Sequence, residues 1–145
     1  MRARRALLAV SAVQLGTDLA GQVLALRRRR AFDTPLLAGS PDAVGRDSWW
    51  AGTALSPPAW TVAVHAAALA RLAARPDRSA AAVLAGVGAA LVPGYLQERL
   101  VRHRLTPAGA ERAETAVVLT GLTAAAAMGV LGARACAAQA PGTRP

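Results

Sequence analysis

Long stretches of this chain carry no charge. Ser48–Ala70, Ser79–Gln97 and Thr115–Ala133 contain no Asp, Glu, Lys or Arg, and Ala6–Leu26 contains only Asp18. A helix rises ~1.5 Å per residue, so about 20 mainly apolar residues match the ~30 Å hydrocarbon core of a bilayer. In a soluble bundle, charge recurs every turn or so on the outward face of each helix. Here it collects between the stretches, at Arg2–Arg5, Arg27–Arg30, Arg71–Arg78 and Glu98–Arg112. The pattern predicts an all-α fold, a small polytopic membrane protein with four transmembrane helices in an antiparallel up-and-down bundle. Its single domain covers 1–145, with spans at about 6–26, 54–74, 79–97 and 112–134. Alanine, about a quarter of the chain, is only mildly hydrophobic and weakens each insertion signal, so a soluble Ala-rich bundle is the competing expectation.

The connections read as follows. Residues 31–50 form a Pro/Gly loop, with Pro35, Gly39, Pro41 and Gly45 among Asp33, Asp42 and Asp47. Trp49 and Trp50 then sit where indole rings prefer the headgroup level. Ser56-Pro57-Pro58 predicts a helix start with Ser56 as its cap. Arg75-Pro76-Asp77-Arg78 is a tight turn that makes spans two and three antiparallel neighbours, with Asp77 or Ser79 capping the next helix. Pro93-Gly94 predicts a kink or an early end, Gln97–Leu105 an amphipathic stretch, and Thr106-Pro107 a fresh start that runs through Ala108–Glu114 into the last span. Residues 138–145 read as a disordered tail. The N-terminal Arg2–Arg5 and Ala6–Leu15 mimic a secretory signal, but Gln14, Asp18, Gln22 and Arg27–Arg30 favour a retained first span.

The net charge of +9 rests wholly on arginine. No aromatic residues interleave with these arginines, which argues against a nucleic-acid partner; at helix ends they suit the anionic headgroups of the lipid bilayer. The lone Cys136 permits neither an intrachain disulfide nor a thiolate metal site. No HExxH, CxxC, GxSxG or phosphate-loop spacing occurs, so no metal and no cofactor is expected. The expected location is the cell inner (plasma) membrane, as a multi-pass protein. Orientation is nearly balanced. Loops one and three hold nine arginines (Arg27, Arg28, Arg29, Arg30, Arg46, Arg99, Arg102, Arg104, Arg112) against eight elsewhere, and the dense clusters Arg27–Arg30 and Arg99–Arg104 place both termini outside the cytoplasm.

Small residues every fourth position let membrane helices approach closely. Ala82, Gly86, Ala90 and Gly94 on the third span and Gly121, Ala125, Gly129 and Ala133 on the fourth predict direct contact between the two; Ala12, Gly16 and Ala20 repeat the pattern on the first. Ser11, Gln14, Asp18 and Gln22 form a polar stripe on the first span, roughly opposite that small stripe. An ionisable residue at mid-span costs ~2.5–3.5 kcal/mol on insertion scales, so Asp18 should face inward to a partner. The expected ligand-binding site is Gln14, Asp18 and Gln22 with His65, able to hold a small ligand or pass a proton. Trp60, Tyr95 and Glu98 are secondary candidates: Trp60 as interface anchor or ligand wall, Tyr95 and Glu98 at the end of the third span. Glu111 and Glu114 read as first-turn carboxylates that complement the last helix. The polar groups alternatively fix helix register alone. No motif assigns a catalytic residue. The expected role is a binding, transport or accessory subunit, whose partners beyond lipid are a small apolar or protonatable ligand and a protein partner or second copy. The alternatives are a membrane-embedded enzyme acting on a lipid or isoprenoid-like substrate, with Asp18, His65 or Glu98 as acid or base, and a purely structural assembly factor.

Overall fold

The computed structural model describes residues 2–138, whose regular elements are helices: α1 Arg2–Arg28, α2 Val44–Trp50, α3 Ala59–Ala74, α4 Arg78–Gln97, α5 Arg99–Arg104 and α6 Arg112–Ala138, with a 3-10 turn at Pro107–Gly109. Only isolated bridges occur among the described residues, between Asp33 and Ala38 and between Thr53 and Ser56, and no strands. The tail expected at 138–145 falls outside the described residues except for Ala138, which closes α6. Three helices, α1, α4 and α6, are long and apolar enough to cross a membrane, whereas α3 is a shorter apolar helix.

The long helices turn large apolar side chains outward: Val13, Leu19 and Val23 on α1, and Leu119 and Val130 on α6, are about half exposed. Ser11, Gln14, Asp18, His65 and Glu114 are instead fully buried. Polar inside and apolar outside is the polarity expected where lipid, and not water, surrounds the helices.

Helix ends follow from local chemistry. Past the end of α1, Arg29 takes the left-handed conformation (φ 52°), and the N–H of Arg30 returns to the Ala25 carbonyl at 2.9 Å, satisfying an end carbonyl. Two prolines set the start of α3, and Pro58 rather than Ser56 occupies the cap position. Residues 54–58, expected inside the second span, are non-helical. They form a tight buried element in which Leu55 is fully covered and Ser56 donates to Gln22. The far end of α3 is closed by Arg4, whose guanidinium donates to the carbonyls of Leu72 (3.0 Å) and Ala73 (2.8 Å). Asp77 caps α4 by accepting the N–H of Ala80 at 2.9 Å, as the turn predicts. That bond, with the Arg71 guanidinium at 2.8 Å, holds the Asp77 carboxyl below the usual range. The 31–50 loop contains α2, which its Pro/Gly content did not foretell. Pro93 is accommodated inside α4, and α6 starts only at Arg112, after a break at Ala110.

Packing runs α1 on α6, α6 on α4, α4 on α3 and α3 on α1. In α4 against α6, Gly88 meets Gly129, Ala85 meets Gly132 and Tyr95 meets Gly121, so the two run antiparallel. The contact between the third and fourth spans was expected, but its register on α4 differs. A methyl group in place of the Gly88 hydrogen would lie 2.5 Å from the Gly129 nitrogen and 2.6 Å from the Ala125 carbonyl oxygen; at Gly132 it would lie 2.8 Å from the Ala85 nitrogen. At Gly86, Gly94 and Gly16 it would meet nothing within 4 Å, and Ala12 and Ala20 are exposed. The approach therefore uses Ala85 and Gly88, off the predicted stripe. Gly21 of α1, outside every predicted stripe, lies against the backbone of Leu55.

Gly88→Leu is expected to force α4 and α6 apart and lower stability by more than ~2 kcal/mol, whereas Gly86→Leu is tolerated. Unfolding of the two variants in detergent checks both directions.

Candidate functional site

The polar stripe of α1 lies inside the helix packing. Asp18 and His65 come from antiparallel helices, α1 and α3, and His65 Nδ1 lies 3.5 Å from Asp18 Oδ2 with both side chains at most 1% exposed. The other carboxylate oxygen, Oδ1, accepts the Gln14 amide at 2.8 Å, one turn earlier on α1. It also accepts the Tyr95 hydroxyl at 3.3 Å, from α4. Gln14 Nε2 in turn lies 3.4 Å from that hydroxyl. The Tyr95 ring fits there because Gly121 leaves room: a methyl group at Gly121 would lie 2.5 Å from the tyrosine oxygen. Thus α1, α3 and α4 each contribute a polar side chain, and α6 contributes the missing side chain that makes space.

The arrangement is incompletely satisfied. Asp18 Oδ2, both ring nitrogens of His65, Gln14 Oε1 and Ser11 Oγ are buried and have no hydrogen-bond partner among the described residues. Buried polar groups are paired in the great majority of cases, so these five atoms, four of them on Asp18, His65 and Gln14, stand out.

Three of the four residues expected at the site, Gln14, Asp18 and His65, therefore meet, and Tyr95 joins them. Gln22 does not. It lies on the same side of α1 but turns to Ser56, whose hydroxyl also pairs with Thr53 at 2.9 Å, and it belongs to the 53–56 element. Glu98 and Trp60 are also apart from Asp18. Both line a cleft of about 270 Å³ between α3, α4 and the preceding loop, with Pro57, Leu91 and Gly94 among its walls. Tyr95 lines the same cleft and so stands between it and Asp18; neither Asp18 nor His65 reaches the cleft. Trp60 is more than half exposed and donates to the Trp50 carbonyl at 3.5 Å, so it serves both as rim and as wall. Glu98 accepts the N–H of Asp33 at 2.9 Å, and burial pushes its carboxyl above the usual range despite that bond.

A second cluster was not anticipated. Glu114, expected to complement the start of α6 and a candidate partner for Asp18, is instead fully buried among three guanidinium groups: Arg104 at 2.7 Å, Arg28 at 2.9 Å and Arg30 at 3.0 Å. Arg28 also reaches Glu111 at 2.7 Å. Glu111 fulfils the expected first-turn role by accepting the N–H of Glu114 at 2.9 Å, and Arg28 together with that N–H draws its carboxyl down to about 2. The left-handed turn at Arg29 is what lets Arg28 and Arg30, on either side of it, converge on one carboxylate. The sequence signal was available, four consecutive arginines against a carboxylate pair, but the partner lies more than eighty residues away. Among the described residues no three His, Cys, Asp or Glu side chains gather as a metal ion would require.

No protein family, curated protein or solved structure matches this chain.

Glu114→Ala should cost ~3 kcal/mol, because three guanidinium groups lose their shared counter-ion. Glu111 gives a pH signature. Its folded-state carboxyl lies below the ordinary 4.5, so its contribution is complete above that value and disappears as the pH falls through about 2. Unfolding curves of wild type and Glu111→Gln in detergent should differ at pH 6 and converge near pH 2.

Proposed function

We propose that the protein is a four-span membrane protein that acts as a binding subunit, of a transporter or as an accessory, and holds a small polar or protonatable ligand at the Asp18–His65 site. The observation that carries this reading is the buried pair itself: a carboxylate oxygen facing an imidazole nitrogen at 3.5 Å, with no hydrogen bond made by either of them. A mid-helix carboxylate among lipid-facing helices is costly, and such residues are typically kept where an ion, a proton or a ligand passes or binds.

The four-span bundle is supported by the closed order of contacts and by α3. With 16 residues this helix covers only ~24 Å, but the buried 53–58 element continues it toward the same side as the end of α1. Non-helical backbone is tolerated at that depth where protein covers it, and here Gly21 and Gln22 of α1 do so. Binding is favoured over lipid chemistry because the cleft stops at Tyr95, which leaves Asp18 and His65 within reach of a proton or a ligand of a few atoms and not of an acyl or isoprenoid chain. The membrane is expected to be the inner (plasma) membrane.

Asp18→Asn keeps the Oδ1 acceptor that Gln14 and Tyr95 use, and His65→Leu fills the imidazole volume without a polar atom. If the site exists for a ligand, the double variant should unfold in detergent within about 1 kcal/mol of wild type, or later, while loss of the cellular phenotype accompanies normal abundance. A drop in stability and abundance together would assign the pair to architecture instead.

A further inference from the structure

The two ends of the helix packing carry similar numbers of arginines but use them differently. At the loop end, nine arginines stand among six carboxylates, and most are engaged. Arg28, Arg30 and Arg104 close on Glu114, Arg29 on Asp42 at 3.1 Å, Arg46 on Asp47 at 3.1 Å and Arg99 on Asp33 at 3.7 Å. Arg102 donates to the carbonyls of Leu96 and Gln97. Only Arg27 and Arg112 there have no partner among the described residues.

The opposite end gathers the start of α1, the α3–α4 turn and the close of α6. Arg4 on the Leu72 carbonyl ties α1 to α3, and the Cys136 thiol, 3.6 Å from the Arg78 carbonyl, ties α6 to α4. Seven arginines lie here among the described residues, Arg2, Arg4, Arg5, Arg71, Arg75, Arg78 and Arg134, with Asp77 as the one carboxylate. Asp77 holds Arg71 and, at 4.0 Å, Arg75; Arg4 closes α3. Arg2, Arg5, Arg78 and Arg134 are exposed and have neither a carboxylate nor a carbonyl partner among the described residues.

The raw count of arginines is nearly balanced between the two ends, but the number left without an intramolecular partner is not. At the loop end, intramolecular carboxylates neutralise most of the guanidinium charge. At the other end it is left for an external anion, and the planar guanidinium is suited to bidentate contact with phosphate. The surface that supplies phosphate at this depth is the headgroup layer, which is most negative on the cytoplasmic leaflet.

We infer that the end bearing Arg2, Arg5, Arg78 and Arg134 is a docking surface for anionic phospholipid headgroups and lies on the cytoplasmic side, with residues 29–58 and 98–111 on the other. This reverses the orientation drawn from the density of arginines along the sequence. It rests on the four-span reading, and the test separates the two.

In a Cys136→Ala background, Ala3→Cys and Leu37→Cys each place one thiol at an exposed position, one at either end. A membrane-impermeant maleimide added to right-side-out vesicles should label Leu37→Cys at once and Ala3→Cys only after permeabilisation. The reverse pattern overturns the inference but leaves the four-span reading standing. Equal labelling of both also overturns it, and recovery of the chain in the supernatant of carbonate-washed membranes removes the four-span reading and the inference together. Lipid choice is read separately, by native mass spectrometry of purified protein with phosphatidylglycerol against phosphatidylcholine. Changing Arg2, Arg5, Arg78 and Arg134 to Gln should reduce retained phosphatidylglycerol about tenfold, while Arg29→Gln with Arg46→Gln, whose guanidinium groups face Asp42 and Asp47, leaves it nearly unchanged. Equal loss in both variants, or in neither, would overturn the headgroup assignment; a monodisperse elution profile confirms that the fourfold variant is folded.

Discussion

On α1 and α6 large apolar side chains turn outward while polar ones turn in, and this inversion organises the rest of the molecule. Val13, Leu19, Val23, Leu119 and Val130 point away from the neighbouring helices, so Ser11, Gln14, Asp18 and His65 have only each other and the adjacent backbones to face. Where α4 meets α6 the core is held by close backbone approach through small residues. Gly88 against Gly129 and Ala85 against Gly132 supply that approach, and they rotate α4 so that Tyr95 is delivered to Asp18. Packing and site are therefore one arrangement: the residues without side chains set the angle at which the residue with a hydroxyl arrives.

The polar features divide by their degree of satisfaction. Around Glu114, two carboxylate oxygens meet three guanidinium groups, and α1, α5 and α6 are joined at one end. Around Asp18, one oxygen is bonded twice and the other faces an imidazole that makes no hydrogen bond. The first has the character of a structural tie, complete in itself. The second retains bonding capacity deep in a low-dielectric interior, where each unmade hydrogen bond is costly. Tyr95 lies between that interior and the cleft that Glu98 and Trp60 line, and it contributes a surface to both.

Much of this could be read from the chain because local chemistry dictates it. Two consecutive prolines must precede α3, Asp77 must accept a first-turn N–H, and a stripe with the three-four spacing of Ser11, Gln14 and Asp18 must share a face. The rest depends on rotation about helix axes and on distant partners. With alanine and glycine so abundant, several small-residue registers are equivalent on paper. Only the packed structure distinguishes Gly88, which touches a backbone, from Gly86, which touches nothing. Glu114 looked like a first-turn carboxylate because its partners Arg28 and Arg30 lie on another helix and the turn after it. Gln22 continued the stripe yet left the site, because the 53–56 element, which no periodicity announces, supplies the Ser56 hydroxyl nearer to hand.

That element also constrains the order in which the chain is assembled. Leu55 rests on Gly21, seven residues and hence ~10 Å below Arg28 along α1, and the Ala54 N–H is satisfied by the Arg30 carbonyl at 3.2 Å. A short irregular piece of backbone has no means of entering hydrocarbon by itself, since its amides would be stranded there. It needs a wall already in place. Because α1 precedes it in the chain, the helix that carries Gly21 is made before the segment it covers, the order that the proposed lipid setting would require of so irregular a stretch.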